Sequence, residues 1–96
     1  MATITQIVRQ RYGAAGSNGS WRVEWDGDTC ELWHYSHRML RWNPSHPSDP
    51  AVLDYSTGWG SVSDQGGMNQ AFRELGLRLR FERAGGATIR ELDAIA

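Results

Sequence analysis

His34 and His37 stand three residues apart, with Cys30 shortly before them and His46 further on. Imidazole nitrogens and a thiolate are ligands that zinc takes in proteins, so metal binding is the first chemistry to weigh. On one extended strand, residues three apart project to opposite faces, so the two histidines converge only if Ser36 lies in a turn. The chain has neither a paired C-x-x-C nor an H-E-x-x-H, the spacings that bring ligands together. No metal site and no cofactor are expected. The histidines read as two surface residues and one on a proline-rich loop.

Carboxylate and nucleophile chemistry find little more support. Asp26, Asp28 and Asp54 are the carboxylate candidates. Asp26 and Asp28 flank Gly27 and are explained by a turn, and glycoside hydrolysis needs two carboxylates across a cleft, which a domain this small rarely encloses. Ser61, in Gly-Trp-Gly-Ser-Val-Ser, does not sit in a G-x-S-x-G elbow. The glycine-rich stretches at 13–20 and 58–61 lack a phosphate-binding lysine; all ten basic residues are arginine. The chain is expected not to be an enzyme.

Arginine and tryptophan are instead the prominent chemistry. The chain has five tryptophans, Trp21, Trp25, Trp33, Trp42 and Trp59. Both residue types are enriched where proteins bind one another. A small core also uses large aromatics to gain buried area, and two or three of the five are expected there. Trp33, Tyr35, Trp42, Arg38 and Arg41 are the candidates for a protein-binding face. The same features would suit a homodimer. The alternative is nucleic-acid binding through Arg78, Arg80 and Arg83, joined to Arg38 and Arg41 if the two strands are neighbours.

Composition bounds these readings. Ninety-six residues suit one domain, 1–96, with one core. Ten basic residues against eleven acidic ones give no net attraction to nucleic acid or an anionic membrane. No apolar run is long enough to span a bilayer. The N-terminus lacks the pattern of a secretion signal, and the lone Cys30 has no internal disulfide partner, so a cytoplasmic location is expected.

The elements that must position these groups follow from periodicity. Ile4, Ile7, Val8 and Tyr12 are spaced as on a helix, with Thr3 and Gln6 as a capping box and Gly13 as the stop. Residues 13–20 read as a loop. Trp21, Val23 and Trp25 alternate with Arg22 and Glu24, Asp26-Gly27-Asp28 is a hairpin turn, and a return strand runs Thr29 to Tyr35. Its two faces, Cys30/Leu32/His34 and Glu31/Trp33/Tyr35, both hold apolar groups, so it is central or exposes an aromatic patch. A third strand runs Arg38 to Trp42, with Arg38, Leu40 and Trp42 on one face. Three prolines make 43–50 a loop, and Ala51 to Tyr55 forms a fourth strand. A helix from Ser63 as N-cap to Leu75 carries a Met68/Ala71/Phe72/Leu75 stripe and stops at Gly76. Gly66-Gly67 suits close backbone packing. Leu77, Leu79 and Phe81 alternate with Arg78 and Arg80 in a further strand. Thr88-Ile89-Arg90-Glu91 reads as a capping box for a short helix, with an edge strand as the alternative.

Tyr35-Ser36-His37-Arg38-Met39-Leu40, Gly58-Trp59-Gly60-Ser61, Met68-Asn69-Gln70-Ala71-Phe72 and Leu75-Gly76 occur in that order over roughly half the chain. In these pieces the chain resembles a family of small uncharacterised phage and prophage proteins. Members of that family often carry basic residues at the helix start, where this chain has Asp64-Gln65-Gly66-Gly67. The resemblance implies a phage or mobile-element setting and no activity. Trp59, with Met68 and Phe72 beneath it, and Asn69, bonding the preceding turn, are expected to serve the fold.

The expected architecture is α+β: a small, mostly antiparallel sheet of about four to five strands with one main helix, Ser63–Leu75, on one face. The expected function is non-catalytic binding of a host or defence-system protein in a bacterial cytoplasm. Counter-defence, for example an anti-CRISPR inhibitor, is its concrete form. Nucleic acid is the lesser partner, and no membrane association is expected.

Overall fold

A computed structural model describes residues 2–16, 19–45 and 51–92. Ile4–Gln10 forms α1, started by the reciprocal Thr3–Gln6 capping box. Its first turn thereby satisfies two otherwise unpaired backbone donors. Ile4, Ile7 and Val8 are buried, whereas Tyr12 is exposed and leaves the apolar stripe. The helix stops earlier than expected, at Arg11 in the left-handed conformation. Gly13–Ala15, assigned to a loop from sequence, is strand β1.

Five strands make one antiparallel meander in chain order. After β1 come β2 (Trp21–Asp26), β3 (Thr29–His34), β4 (His37–Asn43) and β5 (Ala51–Tyr55). β2 and β3 pair Trp21 with His34 and Asp26 with Thr29 around the Gly27-Asp28 turn. β3 is the middle strand, and every residue in it but the half-buried Trp33 is buried.

β4 departs from simple alternation. Leu32 pairs with Leu40, but Trp33 pairs with Arg38, so Met39 is an extra residue in a β-bulge. A bulge shifts the side-chain phase by one position. Met39, Leu40 and Trp42 are therefore all buried, while Arg38 and Arg41 share the opposite face. The expected grouping of Arg38 with Leu40 and Trp42 is corrected. Residues 46–50 of the loop after β4, including His46, lie outside the described residues.

Val62–Glu74 forms α2, capped by Ser61 and not Ser63. Ser61 Oγ accepts from the Asp64 backbone at 3.1 Å, and Asp64 Oδ2 accepts from the Ser61 backbone at 3.0 Å. Ser61 wins because it has an acid three residues on, the geometry a capping box requires; Ser63 has Gly66 there. At the other end, the Gly76 and Leu77 N–H groups bond the Arg73 and Phe72 carbonyls, a Schellman stop. Met68, Ala71 and Phe72 are buried as the stripe requires.

The remaining strands, β6 (Leu79–Glu82) and β7 (Thr88–Glu91), form a separate two-stranded sheet. Thr88–Glu91 is thus an edge strand; pairing of Ile89 with Phe81 overrides its local capping pattern. Asn69 fixes this hairpin to α2. Its amide donates to the Phe81 carbonyl at 3.2 Å and accepts from the Phe81 N–H at 2.8 Å. Asn69 therefore serves the fold, but by gripping β6 and not the turn before the helix.

The core joins α1, α2, the inner face of the meander and Phe81. Trp21 and Trp42 are its largest aromatics. A buried tryptophan removes roughly 150–250 Å² from water, about 4–6 kcal/mol gross at about 25 cal/mol per Å². Among the described residues, no helix is long and apolar enough to cross a membrane.

Candidate partner-binding site

The five tryptophans divide sharply. Trp42, expected on a binding face, is 0 % exposed. It shares the buried face with Leu40, and its cross-strand neighbours are Cys30 and Val52. Trp21 is buried as well, whereas Trp25 is 49 % and Trp59 54 % exposed. The expectation that Trp59 sits over Met68 and Phe72 is corrected: its ring contacts are His34, Tyr35 and His37.

The other expected protein-binding residues fall in two places. Trp33, Arg38 and Arg41 lie on the outer face of the meander. Arg22 stacks its guanidinium 4.9 Å from the Trp33 ring centroid. Arg38 donates to Glu31 at 3.0 Å and to Asp54 at 3.3 Å, and Arg41 donates to Thr29 at 3.3 Å beside Glu31. The bond to Glu31, with its charge, holds the Arg38 guanidinium above its ordinary pKa. These arginines are engaged in neutralising the buried Glu31 carboxylate and have limited capacity left for a partner.

Tyr35 sits elsewhere, at one end of the sheet, in the two-residue turn between β3 and β4. The expected strand to Tyr35 ends at His34, and Tyr35 takes a left-handed φ of 55°. Its backbone is held on both sides: its N–H donates to the Ser20 carbonyl at 2.9 Å, and its carbonyl accepts from Arg22 at 2.8 Å. The turn makes His34 and His37 cross-strand partners. Among the described residues, no group of three or more His, Cys, Asp or Glu is placed to hold a metal ion.

Beneath Tyr35 lies a buried dyad that sequence reasoning missed. His34 Nδ1 donates to Asp64 Oδ1 at 2.6 Å, with both side chains almost fully enclosed. A carboxylate only accepts, so Nδ1 carries the proton. Trp21 stacks on the imidazole at 4.1 Å and 8°. The other carboxylate oxygen, Oδ2, accepts the backbone N–H groups of Trp59 and Ser61, each at 3.0 Å. Burial alone would push the Asp64 carboxyl up. The hydrogen bonds from Ser61 and His34 outweigh it and hold the group below the usual carboxylate range.

Asp64 thus ties the loop before α2 to the sheet. Gly58 and Gly60, at φ 57° and 71°, let that loop turn tightly. A Cβ on Gly58 would stand 2.7 Å from Met39 Sδ, so the loop also lies close against the bulge. The result places the Trp59 ring edge-on to His37, with centroids 4.0 Å apart, and 5.8 Å from Tyr35. Tyr35, 56 % exposed, and Trp59 form an open aromatic pair on rigidly held backbone.

The arginines of the nucleic-acid alternative are also placed. β6 belongs to the second sheet, so Arg78, Arg80 and Arg83 do not extend the Arg38–Arg41 face through neighbouring strands. All three are exposed, and Arg83 Nε donates to the Gly60 carbonyl at 2.8 Å. No protein-family model, curated protein or solved structure matches the chain.

Proposed function

We propose that this chain is a non-catalytic module that binds a protein partner through Tyr35, His37 and Trp59. The observation that carries the reading is the Tyr35–Trp59 pair: two large aromatic rings, each more than half exposed, on backbone fixed by Asp64, Ser20 and Arg22. Apolar exposure alone is common on protein surfaces. Aromatic rings held before binding are different, because little ordering entropy remains to be lost on docking. Val62, exposed at the start of α2, adds apolar surface close by in the chain. A host or defence-system protein as partner, and inhibition as the outcome, rest on the phage-family resemblance.

The His34–Asp64 dyad supports binding better than catalysis. Both Asp64 oxygens are occupied in holding His34 and the loop, and among the described residues neither Ser61 nor Ser63 hydrogen-bonds His34. The test is capture of partners from nuclease-treated lysate of a bacterial host, with wild-type, Trp59→Ala and Trp25→Ala baits compared by mass spectrometry. A stoichiometric protein retained by wild type and Trp25→Ala but lost with Trp59→Ala is the expected result. Equal capture by all three, or capture that vanishes with nuclease, refutes the assignment.

A further inference from the structure

A cleft of about 520 Å³ opens between α2 and the β6–β7 hairpin, on residues outside the aromatic cluster. Its volume lies in the range of small-molecule sites, roughly 300–1,000 Å³. Arg73, Arg80 and Arg83 line it, together with Leu77, Leu79 and Leu92. The lining therefore combines an apolar part with three guanidinium groups.

The charge in this cleft is largely unopposed. Glu82 is the one carboxylate among the described lining residues, and Arg90 holds it in a fork at 2.7 and 3.3 Å. That bond to Arg90 keeps the Glu82 carboxyl below its ordinary range, with Arg80 adding to the effect. Among the described residues, neither Arg73 nor Arg80 forms a salt bridge. Arg83 commits only its Nε, to Gly60. The contrast with Arg38 and Arg41 is direct, since those two are matched to Glu31, Asp54 and Asp26. The amides of Gln65 and Asn69 are already directed at the Phe81 backbone, so the polar recognition available here is cationic.

We propose that this cleft binds a phosphorylated small molecule of mononucleotide size. Its phosphate is held by Arg73, Arg80 and Arg83, and its less polar part lies on Leu77, Leu79 and Leu92. Three guanidinium groups match a phosphate dianion, which offers three terminal oxygens, better than a carboxylate with two. A compact ligand fits better than a polymer. A nucleic-acid strand needs a cationic track leading away from the cleft, and the arginines of the five-stranded sheet are neutralised.

Isothermal titration calorimetry at low salt separates the sources of phosphate. The probes are AMP, adenosine, inorganic phosphate and a short single-stranded oligonucleotide. AMP is expected to bind at least about tenfold more tightly than adenosine, as charge-assisted hydrogen bonds require. Arg73→Gln and Arg80→Gln are each expected to weaken AMP about tenfold, with Arg78→Gln, outside the lining, leaving it unchanged. Near-ultraviolet circular dichroism confirms that each variant keeps its tryptophan packing. Equal binding of AMP and adenosine overturns the proposal, as does an Arg78→Gln loss equal to that of Arg80→Gln. Failure of both AMP and inorganic phosphate to bind at millimolar concentration overturns it too. Binding of the oligonucleotide alone replaces it with a polymer site. None of these outcomes bears on the Trp59 test, which reads a different surface.

Discussion

Gly66 and Gly67 are neighbours in α2, yet the same substitution should have opposite effects at the two positions. A Cβ built on Gly66 meets nothing within 4 Å, whereas one on Gly67 would stand 2.1, 2.5 and 2.6 Å from three atoms of the Trp21 ring. Alanine is favoured over glycine inside a helix by about 1 kcal/mol, because glycine loses more backbone freedom on folding. Gly66→Ala should therefore stabilise the protein by about 0.5–1 kcal/mol. At Gly67 the same gain is opposed by a clash with a buried, rigid ring stacked on His34. Overpacking of this kind costs typically about 1–3 kcal/mol, and more where the neighbour cannot rotate away. The net expectation is a loss of about 1–2 kcal/mol for Gly67→Ala. The two variants should then differ by about 1.5–3 kcal/mol, or roughly 6 °C or more in melting temperature for a chain of this size. Urea titration followed by tryptophan fluorescence reads both, and Trp21 itself reports the displacement. If the two substitutions shift the midpoint in the same direction by similar amounts, Trp21 does not lie against α2 as described.

Two further predictions concern ionisable groups. Asp64 has a lowered pKa in the folded chain, so the unfolded chain binds its proton more readily. Its stabilisation is present above the unfolded value, about 3.9, and is lost as pH falls from there through the folded value. Asp64→Asn should cost about 2 kcal/mol at neutral pH and flatten the acid limb of the stability profile. Urea midpoints measured from neutral pH downward check both, and an unchanged acid limb would exclude Asp64 as its source. Burial pushes the Cys30 thiol up to about 11, against a smaller opposing effect from Arg11. A disulfide reagent at mildly alkaline pH should therefore react slowly with the native chain and promptly once urea unfolds it. Fast reaction in the native state would contradict the enclosure of β3.

What the sequence made legible was local. The Thr3–Gln6 box, the Gly27 turn, the Met68/Ala71/Phe72 stripe and the Leu75–Gly76 stop each lie within a few residues, and each was found in place. Most of the errors share a cause: a partner distant in sequence decided the outcome. The Arg-Met-Leu-Arg-Trp run fits plain alternation until β3 fixes the register and Met39 becomes the extra residue. Two adjacent apolar residues between arginines were the available sign of a bulge. Thr88–Glu91 has a helix-start pattern that loses to Phe81 across the ladder. Ser61 over Ser63 was legible, since only Ser61 has an acid three residues ahead. The candidate site was the least legible part. His34 and Asp64 are 30 residues apart, and neither forms a motif alone. Trp59 was assigned to the fold because its glycine neighbours signal a tight turn without indicating which way the ring points.

The meander pairs every strand with its predecessor in the chain, whereas the His34–Asp64 bond closes a span of 30 residues and Arg9–Glu74 one of 65. The entropy lost in closing a loop rises with the logarithm of its span. Hairpins within the sheet are therefore the easiest contacts to make, and the docking of α2 is the demanding one. The aromatic pair straddles that division: Tyr35 belongs to a hairpin, and Trp59 arrives with the helix. A nascent or partly unfolded chain can present the first ring without the second. The complete pair exists only when the two halves of the molecule have met, so the surface is its own certificate of folding.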